Sequence, residues 1–510
     1  MRWRPGDGVL WQAAPQADGF AAADRELRAD VCIVGTGPGG AACARALGDA
    51  GLRVVMLEEG PTQERFRPNQ GNAMRYHMQE GGGMVATGST FMPIAAGRGV
   101  GGGTLINSAI AWRCPDPVLD GWTEILGDDR YSASSMHASY DELWEMLGIW
   151  DTRTEISGEN NELTIRGTKK LGYQGGYLAR YTPRCTGCGV CNFGCPSGGK
   201  GSVNHNLLVE ACSNDVHIQA DTRIDEFLLA GARVVGVRGR MFHPETGEAG
   251  GTVTVRAEKV VVACGGIGTP RLLHHAGLDL GPAVGVGLHV HPGNAVLGIC
   301  DHEVNWYQGA TQGAYFHPPD LPGVLPHTSN LPPEVGLLAM AAQGIPAPEG
   351  LGLLKHLTCL LVMVSDTSTG TVGAWPDGRA KITYHFNDAD VARVKAGMVE
   401  SARVLLAGGV RELFCPVAGT RRVTTAAQVE AMLVDRTITD FTLYASHPMS
   451  SCRMGRNPET SVIRPDGRTH RMEGLYLADS SVFPTSLGVN PSVTTMAMAG
   501  IIGRGIAQGA

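Results

Sequence analysis

The feature that most constrains this chain is a glycine-rich turn between a buried strand and a helix. Residues 30–58 read DVCIVGTGPGGAACARALGDAGLRVVMLE. The apolar run VCIV predicts a buried strand, the segment that ends at Gly51 has helical spacing, and RVVML predicts a second buried strand. A strand–helix–strand unit of this kind belongs to a parallel sheet, so we predict an α/β fold.

The turn itself has the spacing of a dinucleotide-binding loop. Gly35, Gly37 and Gly40 form G-x-G-x-x-G between the strand and the helix. These glycines permit a tight turn, a close approach of the backbone to a pyrophosphate, and close packing of the helix on the strand. Glu58 ends the next strand, where a carboxylate can bind a ribose hydroxyl and repels a 2′-phosphate, so NADP is disfavoured. This unit alone fits FAD and NAD equally well.

A second motif indicates different chemistry. Residues 184–202 read RCTGCGVCNFGCPSGGKGS, and the cysteines have the C-x2-C-x2-C-x3-C spacing of a bacterial ferredoxin. The four positions are Cys185, Cys188, Cys191 and Cys195. An iron–sulfur cluster is one interpretation, a zinc site with four thiolates is another, and a compact loop of free thiols is the third.

Charge and hydropathy argue against several classes of partner. The net charge is -7 and no long basic run occurs, which argues against nucleic acid. No apolar run reaches the length of a membrane span. The first 20 residues lack the apolar core of a signal peptide, so we expect a cytoplasmic protein. Cysteines of a cytosolic chain are more often core thiols, metal ligands or redox groups than disulfides.

The remaining pattern indicates a second structural region. Residues 214–264 alternate between apolar and polar side chains, which predicts antiparallel strands that return to the parallel sheet. Residues 388–408 predict a helix capped by Asp388, and residues 490–508 predict a buried helix. Residues 301–440 have no parallel-sheet signature and are the candidate second domain.

Five further motifs follow one another along the chain. They are GRGVGGGTLINSAIAWR (97–113), GGIGTPRLLHHAGL (265–278), VGVGLHVHPG (284–293), HPMSSCRMG (447–455) and LYLADSSVFPTSLGVNPSVTTMAMA (475–499). In this order they resemble the glucose–methanol–choline oxidoreductase family, whose members are FAD enzymes. The resemblance runs through most of the chain and favours FAD over NAD as the cofactor.

The resemblance implies a Rossmann-like FAD-binding domain assembled from discontinuous segments, and a substrate domain with an antiparallel β-sheet and helices. The predicted segments are a FAD-binding domain at 25–60, 97–115, 185–300 and 441–510, a lid or extended loop at 61–96, and a substrate-binding domain at 116–184 and 301–440.

The resemblance also implies the residues that contact the cofactor. The three glycines of the turn and Glu58 would hold the ADP half of FAD. Asp479 would contact the ribityl–pyrophosphate region. Contacts along the flavin and pyrophosphate would come from Arg98, Gly101, Gly102 and Asn107.

Two residues are implied at the reacting centre. His447 matches the histidine beside the flavin where the substrate alcohol sits, and histidine titrates in the range that suits uptake of a hydroxyl proton. Asn490, with Pro491 beside it, would reach the flavin ring and orient the substrate hydroxyl. An asparagine at this position resembles the sterol-oxidase and choline-oxidase branches of the family. The pair of histidines in HVH, residues 289–291, is interpreted as structural rather than as a zinc site.

The predicted function is oxidation of a small alcohol to an aldehyde or ketone, with oxygen or another electron acceptor, and an iron–sulfur cluster could relay the electrons. Residues 301–440 have 14 acidic and 10 basic side chains, which tilts the prediction toward a polar alcohol such as a sugar or aminosugar. A sterol or long-chain alcohol is the alternative. A flavin-dependent lyase and a non-catalytic electron-transfer or metal-binding protein stay open as other classes.

Overall fold

A computed structural model of the chain describes residues 17–62, 69–330, 333–342 and 345–509. The expectations on residues 1–16 and on residues 63–68 of the expected lid lie outside this range. The described residues form the strands β1 (Ala17–Asp18), β2 (Arg25–Val34), β3 (Val54–Leu57), β4 (Val85–Gly88), β5 (Met92–Pro93), β6 (Trp150–Asp151), β7 (Gln174–Tyr177), β8 (Ala179–Arg180), β9 (Val216–Gln219), β10 (Thr222–Ala230), β11 (Arg233–Phe242), β12 (Ala249–Val262), β13 (Val286–Leu288), β14 (Gly293–Ile299), β15 (Ala314–His317), β16 (Val324–Thr328), β17 (Leu357–Val364), β18 (Thr369–Ala374), β19 (Ala380–His385), β20 (Glu412–Phe414) and β21 (Leu475–Leu477). The α-helices are α1 (Pro38–Asp49), α2 (Gln70–Asn72), α3 (Asp116–Leu126), α4 (Ala133–Leu147), α5 (Thr154–Ser157), α6 (Glu159–Leu171), α7 (Leu207–Cys212), α8 (Gly265–His275), α9 (Pro333–Ala342), α10 (Ala347–Leu353), α11 (Asp388–Gly408), α12 (Ala426–Leu433) and α13 (Ser492–Ala507).

The first region is built on an eight-stranded sheet with the order β1-β9-β3-β2-β12-β11-β10, and β21 pairs with the second half of β12. The strands β9, β3, β2 and β21 and the second half of β12 are parallel, as the strand–helix–strand unit predicts. β10, β11 and the first half of β12 extend the sheet in antiparallel pairing. The alternation of residues 214–264 therefore predicted this part of the sheet correctly.

Small residues let two helices lie close together on this sheet. α1 starts directly after the glycine-rich turn and packs against α13. A Cβ added to Gly503 would lie only 3.0 Å from the backbone oxygen of Cys43 and from the Cβ of Ala46. Because α13 begins at Ser492, this contact also fixes the position of Asn490, which lies two residues before the helix.

The second region contains two sheets. One has six strands in the order β20-β14-β17-β16-β15-β7, and the other has five in the order β13-β18-β19-β4-β5. β17 is buried along its whole length, and the long helix α11 packs on it and on α6. The cap of α11 is Asn387, whose side chain accepts a hydrogen bond from the backbone of Asp390, and not Asp388 as predicted. Asp388 is already the first helical residue.

Two of the expected boundaries differ from the observed packing. β13 and β14, in the segment assigned to the FAD-binding domain, pair with β18 and β17 of the second region. The helices α3 and α4, in the segment assigned to the substrate domain, bury Leu119, Trp122 and Tyr140 in the core of the first region. The motifs show only the order of segments along the chain. They do not show that the chain passes between the two hydrophobic cores several times.

The segment at 61–96 is not an extended loop in its described part. It contains β4 and β5, and β4 pairs with β19 of the second region. Met84 and Met92 are buried in the second core. Strands of two to four residues are too short to show an alternation of apolar and polar residues, so the sequence did not predict them.

Candidate active site

A cavity of about 600 Å³ lies where the two regions meet. Its walls are the turn before α1, the end of β3, the 97–107 segment and the residues after β21 on one side, and strands of the second region on the other. The predicted site residues that line it are Gly35, Gly37, Glu58, Arg98, Gly102, Asn107, His447, Asp479, Asn490 and Pro491. Gly40 and Gly101 are not part of the lining.

The glycine-rich turn leaves its backbone open to this cavity. Gly35 has a φ of +106°, and a Cβ there would lie 2.4 Å from the backbone oxygen of Ala263. A Cβ on Gly40 would lie 2.1 Å from the oxygen of Gly35, so the helix can only approach the strand with glycine at this position. No side chain caps α1 at Gly37, and its first N–H groups, with the positive end of the helix dipole, suit a phosphate group.

Glu58 ties this turn to the neighbouring glycine segment. Its Oε2 accepts hydrogen bonds from the backbone N and the Oγ1 of Thr36, and its Oε1 accepts from the backbone N of Gly60 and Gly99. Burial raises the pKa of Glu58, and these four donors oppose that effect. The carboxylate therefore organises the cavity wall at the position where a ribose contact was predicted.

Beside Glu58 the predicted Arg98 is joined by Glu59 and Arg271, which the sequence reasoning missed. Glu59 lies 2.9 Å from the Nη2 of Arg271 and 3.9 Å from the Nε of Arg98, and all three residues line the cavity. Burial opposes the charged carboxylate, but the two guanidinium groups hold the pKa of Glu59 below its usual value. A double Glu at the end of the second strand was the only signal in the sequence.

The 97–107 segment packs backbone against backbone on the turn. Gly101 and Gly102 have φ values of +117° and +52°, and a Cβ on Gly102 would lie 2.6 Å from the Cα of Gly37. Asn107 donates a hydrogen bond to the hydroxyl of Tyr181 and accepts one from the backbone of Ala109. The two glycine segments thus form one continuous surface of the cavity.

Asp479, which follows β21, lines the same wall of the cavity. Its Oδ2 accepts hydrogen bonds from the backbone N of Gly265 at 2.9 Å and from Thr269 Oγ1 at 2.5 Å, and its Oδ1 accepts from the backbone N of Ser481. Burial raises the pKa of this carboxyl. The aspartate joins the start of α8 to the residues after β21.

His447 and Asn490 meet on the cavity wall although they are 43 positions apart. The Nδ2 of Asn490 lies 3.1 Å from the Nε2 of His447. The Oδ1 of Asn490 is buried and has no hydrogen-bond partner among the described residues. Burial, together with the nearby rings of His291 and His327, holds the pKa of His447 well below its usual value. The site offers an uncharged imidazole nitrogen beside a free amide oxygen.

His291 lies behind His447 and was interpreted from the sequence as structural. The two Nδ1 atoms are 3.3 Å apart, and the rings meet edge to face at 82°. His289, the other member of HVH, lies 3.6 Å from Asp366 instead. The signal that could have found His291 is its place inside the 284–293 motif.

The cysteine run is not arranged as a set of metal ligands. Among the described residues no group of three or more His, Cys, Asp or Glu side chains is placed to hold a metal ion. Cys185 Sγ accepts a hydrogen bond from the backbone N of Gly187, and Cys195 Sγ accepts one from that of Lys200. The structure therefore gives no support to a preformed iron–sulfur or zinc site at Cys185, Cys188, Cys191 and Cys195.

Two buried cations occupy the space beside Cys191. Arg180 donates to the backbone oxygen of Ser108 at 2.8 Å and to Cys191 Sγ at 3.2 Å. Lys200 Nζ donates to three backbone oxygens, and neither cation forms an ion pair with a carboxylate among the described residues. Burial alone raises the pKa of Cys191, but Arg180 and Lys200 lower it below the usual value of a thiol.

The part of the cavity formed by the second region is apolar. No charged side chain of the described residues lines it on that side, and its few polar groups include Gln312 and Ser329. The apolar lining residues are Ala295, Leu297, Trp306, Cys359, Leu361, Pro416, Leu443 and Tyr444. The charged residues that line the cavity in the described structure belong to the first region.

Together the fold and the cavity define a FAD-binding oxidoreductase. The open backbone at Gly37, the uncapped first turn of α1 and the free Oδ1 of Asn490 fit a dinucleotide that runs from the turn to the histidine. Models of a FAD-binding domain and of the N-terminal and C-terminal parts of GMC oxidoreductases match residues 28–73, 74–293 and 367–499. The chain belongs to the GMC oxidoreductase family, whose enzymes use FAD to oxidise CH–OH donors.

Several curated relatives match nearly the whole chain. An uncharacterized GMC-type oxidoreductase of Mycobacterium tuberculosis is 31% identical over 92% of this chain and 75% of its own length. A long-chain-alcohol oxidase of Arabidopsis thaliana is 29% identical over 94% of this chain and 69% of its own length.

Solved structures show the same fold at low identity. Pyridoxine 4-oxidase from Mesorbium loti has a TM-score of 0.71 and 17% identity, and covers 93% of this chain and 98% of its own. Formate oxidase from Aspergillus oryzae has a TM-score of 0.72 and 15% identity, over 97% of this chain and 99% of its own. None of the helices within the described ranges has the length and apolar character needed to span a bilayer.

Proposed function

We propose that the protein oxidises an alcohol to an aldehyde or ketone, with His447 as the base for the hydroxyl proton and Asn490 as the group that positions the hydroxyl. The observation that carries this proposal is the 3.1 Å contact between His447 Nε2 and Asn490 Nδ2 on the cavity wall. A hydroxyl group seated beside this pair faces one proton acceptor and one amide. FAD, when bound, supplies the acceptor for the hydride that leaves the carbinol carbon.

The protonation state of His447 supports this role. A base must be unprotonated before the reaction, and burial lowers the pKa of His447 well below the usual value of histidine. The imidazole is therefore uncharged at neutral pH, and one of its two ring nitrogens carries no proton and can accept one. General-base catalysis of this kind contributes about 10²–10⁴-fold to a rate.

We propose the cofactor contacts that the sequence predicted, with Gly40 and Gly101 shaping the backbone rather than lining the cavity. We assign the ADP half to the turn with Gly35, Gly37 and Gly40 and to the carboxylate of Glu58. The open backbone of the turn supports this assignment. The flavin side is assigned to the residues Arg98, Gly101, Gly102, Asn107, Asp479, Asn490 and Pro491.

The apolar wall favours an alcohol with a hydrocarbon chain or ring system. A polar alcohol would leave its hydroxyls against Leu297, Leu361 and Leu443 without partners, at a cost of about 1–3 kcal/mol for each buried unpaired group. The negative charge of residues 301–440 gives no support to a sugar, since its carboxylates lie outside the cavity lining. The long-chain-alcohol oxidases among the relatives agree with an apolar substrate.

The test is anaerobic reduction of the bound flavin with a panel of alcohols. We expect bleaching by long-chain or sterol alcohols at lower concentrations than by sugars or choline. Reoxidation by air, compared with an artificial acceptor, then separates an oxidase from a dehydrogenase. Substrate cleavage without bleaching would indicate a lyase, and no turnover of any alcohol by the FAD-loaded protein would contradict an enzymatic role.

A substitution in the wall tests the substrate class directly. Leu361→Gln should raise the KM for a long-chain alcohol by about tenfold, because a buried amide replaces apolar contact. Leu229→Gln is the matched control, since Leu229 is half-exposed on β10 away from the cavity. Equal KM values for the two variants would argue against an apolar chain at this wall.

A further inference from the structure

A chain of polar side chains, of which His291 and Asp366 are buried, lies behind the proposed base. His447 Nδ1 is 3.3 Å from His291 Nδ1, and His291 Nε2 is 3.0 Å from Ser486 Oγ. Ser486 in turn donates a 2.8 Å hydrogen bond to Asp366 Oδ1. His291 has a φ of +48°, and a non-glycine residue keeps such a strained backbone only where its surroundings hold it there.

The tautomer of His447 decides whether it can act as a base. A neutral imidazole carries one proton, so an unprotonated Nε2 on the cavity side requires that His447 carries its proton on Nδ1. That N–H must then donate to His291 Nδ1, and His291 must carry its own proton on Nε2. Ser486 Oγ is placed to accept it, because its own hydroxyl hydrogen goes to Asp366.

One contact favours the opposite arrangement. The backbone N–H of Gly488 also points at His291 Nε2 from 3.0 Å, and a backbone N–H can only donate. If the Gly488 contact decided the tautomer, His291 would carry its proton on Nδ1 and donate it to His447 Nδ1. His447 would then carry its own proton on Nε2, and this nitrogen could not accept the substrate proton. The two tautomers of the pair therefore compete for the same nitrogen of His291.

Asp366 is the group that can decide this competition. It is buried and its Oδ2 accepts hydrogen bonds from the backbone N of Val290 and from the hydroxyl of Tyr384. Burial opposes its charge, but the neighbouring His289 and His291 and the hydroxyl of Tyr384 hold the pKa of Asp366 at about 2. A full negative charge thus lies at the end of the chain and favours protons that point toward it.

We propose that Asp366, acting through Ser486 and His291, is the positioning residue that keeps His447 in the tautomer with an unprotonated Nε2. This inference rests on the proposed function of His447. In the reaction the O–H bond of the alcohol breaks, its proton forms the Nε2–H bond of His447, and the hydride leaves the carbinol carbon with two electrons for FAD. The resulting imidazolium donates from Nδ1 to His291, and the charge of Asp366 stabilises it.

The charged and titratable groups around this chain come from several elements. His327 on β16 is near His447, and it is bonded to Gln312. His289 and Tyr384 face Asp366, as does His291. Among the described residues, Asp366 is therefore the carboxylate that acts on His291 and His447. Loss of its charge should change the pKa of His447 in a known direction. The pKa of His447 falls, because the imidazolium loses a stabilising charge.

The test is the protonation of His447 Nε2 in the FAD-loaded, substrate-free protein, measured by nitrogen NMR with ¹⁵N-labelled histidine. The signal is assigned by its loss in His447→Asn. We expect an unprotonated Nε2 in the native chain and a protonated Nε2 in Ser486→Ala, which breaks the link to Asp366. Ser486→Thr should restore the native signal, because it keeps the hydroxyl.

Kinetics supply the second readout. In Ser486→Ala we expect flavin reduction about tenfold slower, with recovery in Ser486→Thr, and in Asp366→Asn we expect an acid limb of the pH profile at lower pH. Ser461→Ala is the matched control, since it removes a 3.0 Å contact between a serine and His470 outside the cavity lining. Asp366→Asn should change the Nε2 signal in the same way as Ser486→Ala.

A protonated Nε2 in the native chain would overturn the inference, even if no variant folds. An unchanged Nε2 signal in Ser486→Ala and Asp366→Asn would also overturn it. The expected signals without flavin bleaching by any alcohol would instead contradict the proposed function and leave the assigned tautomer in place.

Discussion

The histidine site and the cysteine run were both predicted from short motifs, and the fold treats them in opposite ways. His447 and Asn490 are 43 positions apart, and His291 lies 156 positions before His447, yet their ring and amide atoms meet. The four cysteines fall within residues 185–195 but do not form a ligand set in the described structure. The histidine site is thus assembled by the fold from distant segments, whereas the cysteine run is local in the sequence.

The surroundings of His447 and of Cys191 differ in how their buried charges are balanced. Around His447 the imidazoles are uncharged, and the one buried charge, Asp366, is satisfied by hydrogen-bond donors. Around Cys191 the buried charges are two cations, and the thiol is the group that can compensate them. The surroundings of His447 thus contain uncharged rings beside one carboxylate, whereas those of Cys191 contain two cations that hold neighbouring segments together.

The largest effect should follow removal of the base. His447→Ala should slow flavin reduction by substrate by about two to four orders of magnitude, with FAD content unchanged. Asn490→Ala should also slow it, and the two losses should not add, because both groups act on one hydroxyl. Stopped-flow absorbance of the flavin measures both. His385→Ala, at an exposed site on β19, is the control, and a near-native rate in His447→Ala would move the chemistry elsewhere.

Removal of a buried cation should affect stability rather than chemistry. Arg180→Met should lower the free energy of unfolding by about 3–5 kcal/mol, because it leaves Cys191 and the oxygen of Ser108 without their partner. Denaturant unfolding measures the loss. Arg238→Met on β11, which removes an exposed pair with Glu226, should cost at most about 1 kcal/mol. Equal losses of stability in the two variants would contradict the view that Arg180 stabilises the fold through Cys191 and the backbone oxygen of Ser108.

Acid should weaken the histidine region selectively. Burial lowers the pKa of His327 to about 4, whereas the unfolded chain binds the proton near 6.5. The free energy of unfolding therefore falls as the pH drops from about 6.5 to about 4, by up to about 1.4 kcal/mol per pH unit for each such histidine.

The variant His327→Gln should remove one histidine's share of that slope, and urea unfolding at several pH values measures it. His385→Gln should leave the slope unchanged, because that side chain is exposed. A slope that is the same in His327→Gln and in the native chain would contradict the burial argument.

The smallest effect should come from the cysteine run. Cys188→Ser should keep FAD and reduce its flavin within about twofold of the native rate, since Cys188 does not line the cavity. Iron and acid-labile sulfide are measured on anaerobically prepared protein beside it. Equal amounts of both in the native chain, lost in Cys188→Ser, would restore the cluster prediction and make the two regions parts of one electron path.

Much of the cofactor half could be predicted because its residues lie close together in sequence. The turn with Gly35, Gly37 and Gly40 is read from spacing alone, since each glycine answers a local steric demand. The alternation of residues 214–264 gave the antiparallel strands for the same reason. Short strands such as β4 and β5, and the second-region pairing of β14, left no comparable local signal.

By itself the sequence determined the fold class and FAD as the cofactor, and it named the candidate residues of the reacting centre. Only the tertiary structure decided that Glu58 accepts hydrogen bonds from four local donors, that the second region lines the cavity with apolar side chains, and that His291 lies next to His447. The physical reason is range. Helix, strand and turn preferences act over a few residues, whereas burial, charge compensation and the tautomer of a histidine depend on groups that only the folded chain brings within a few ångströms.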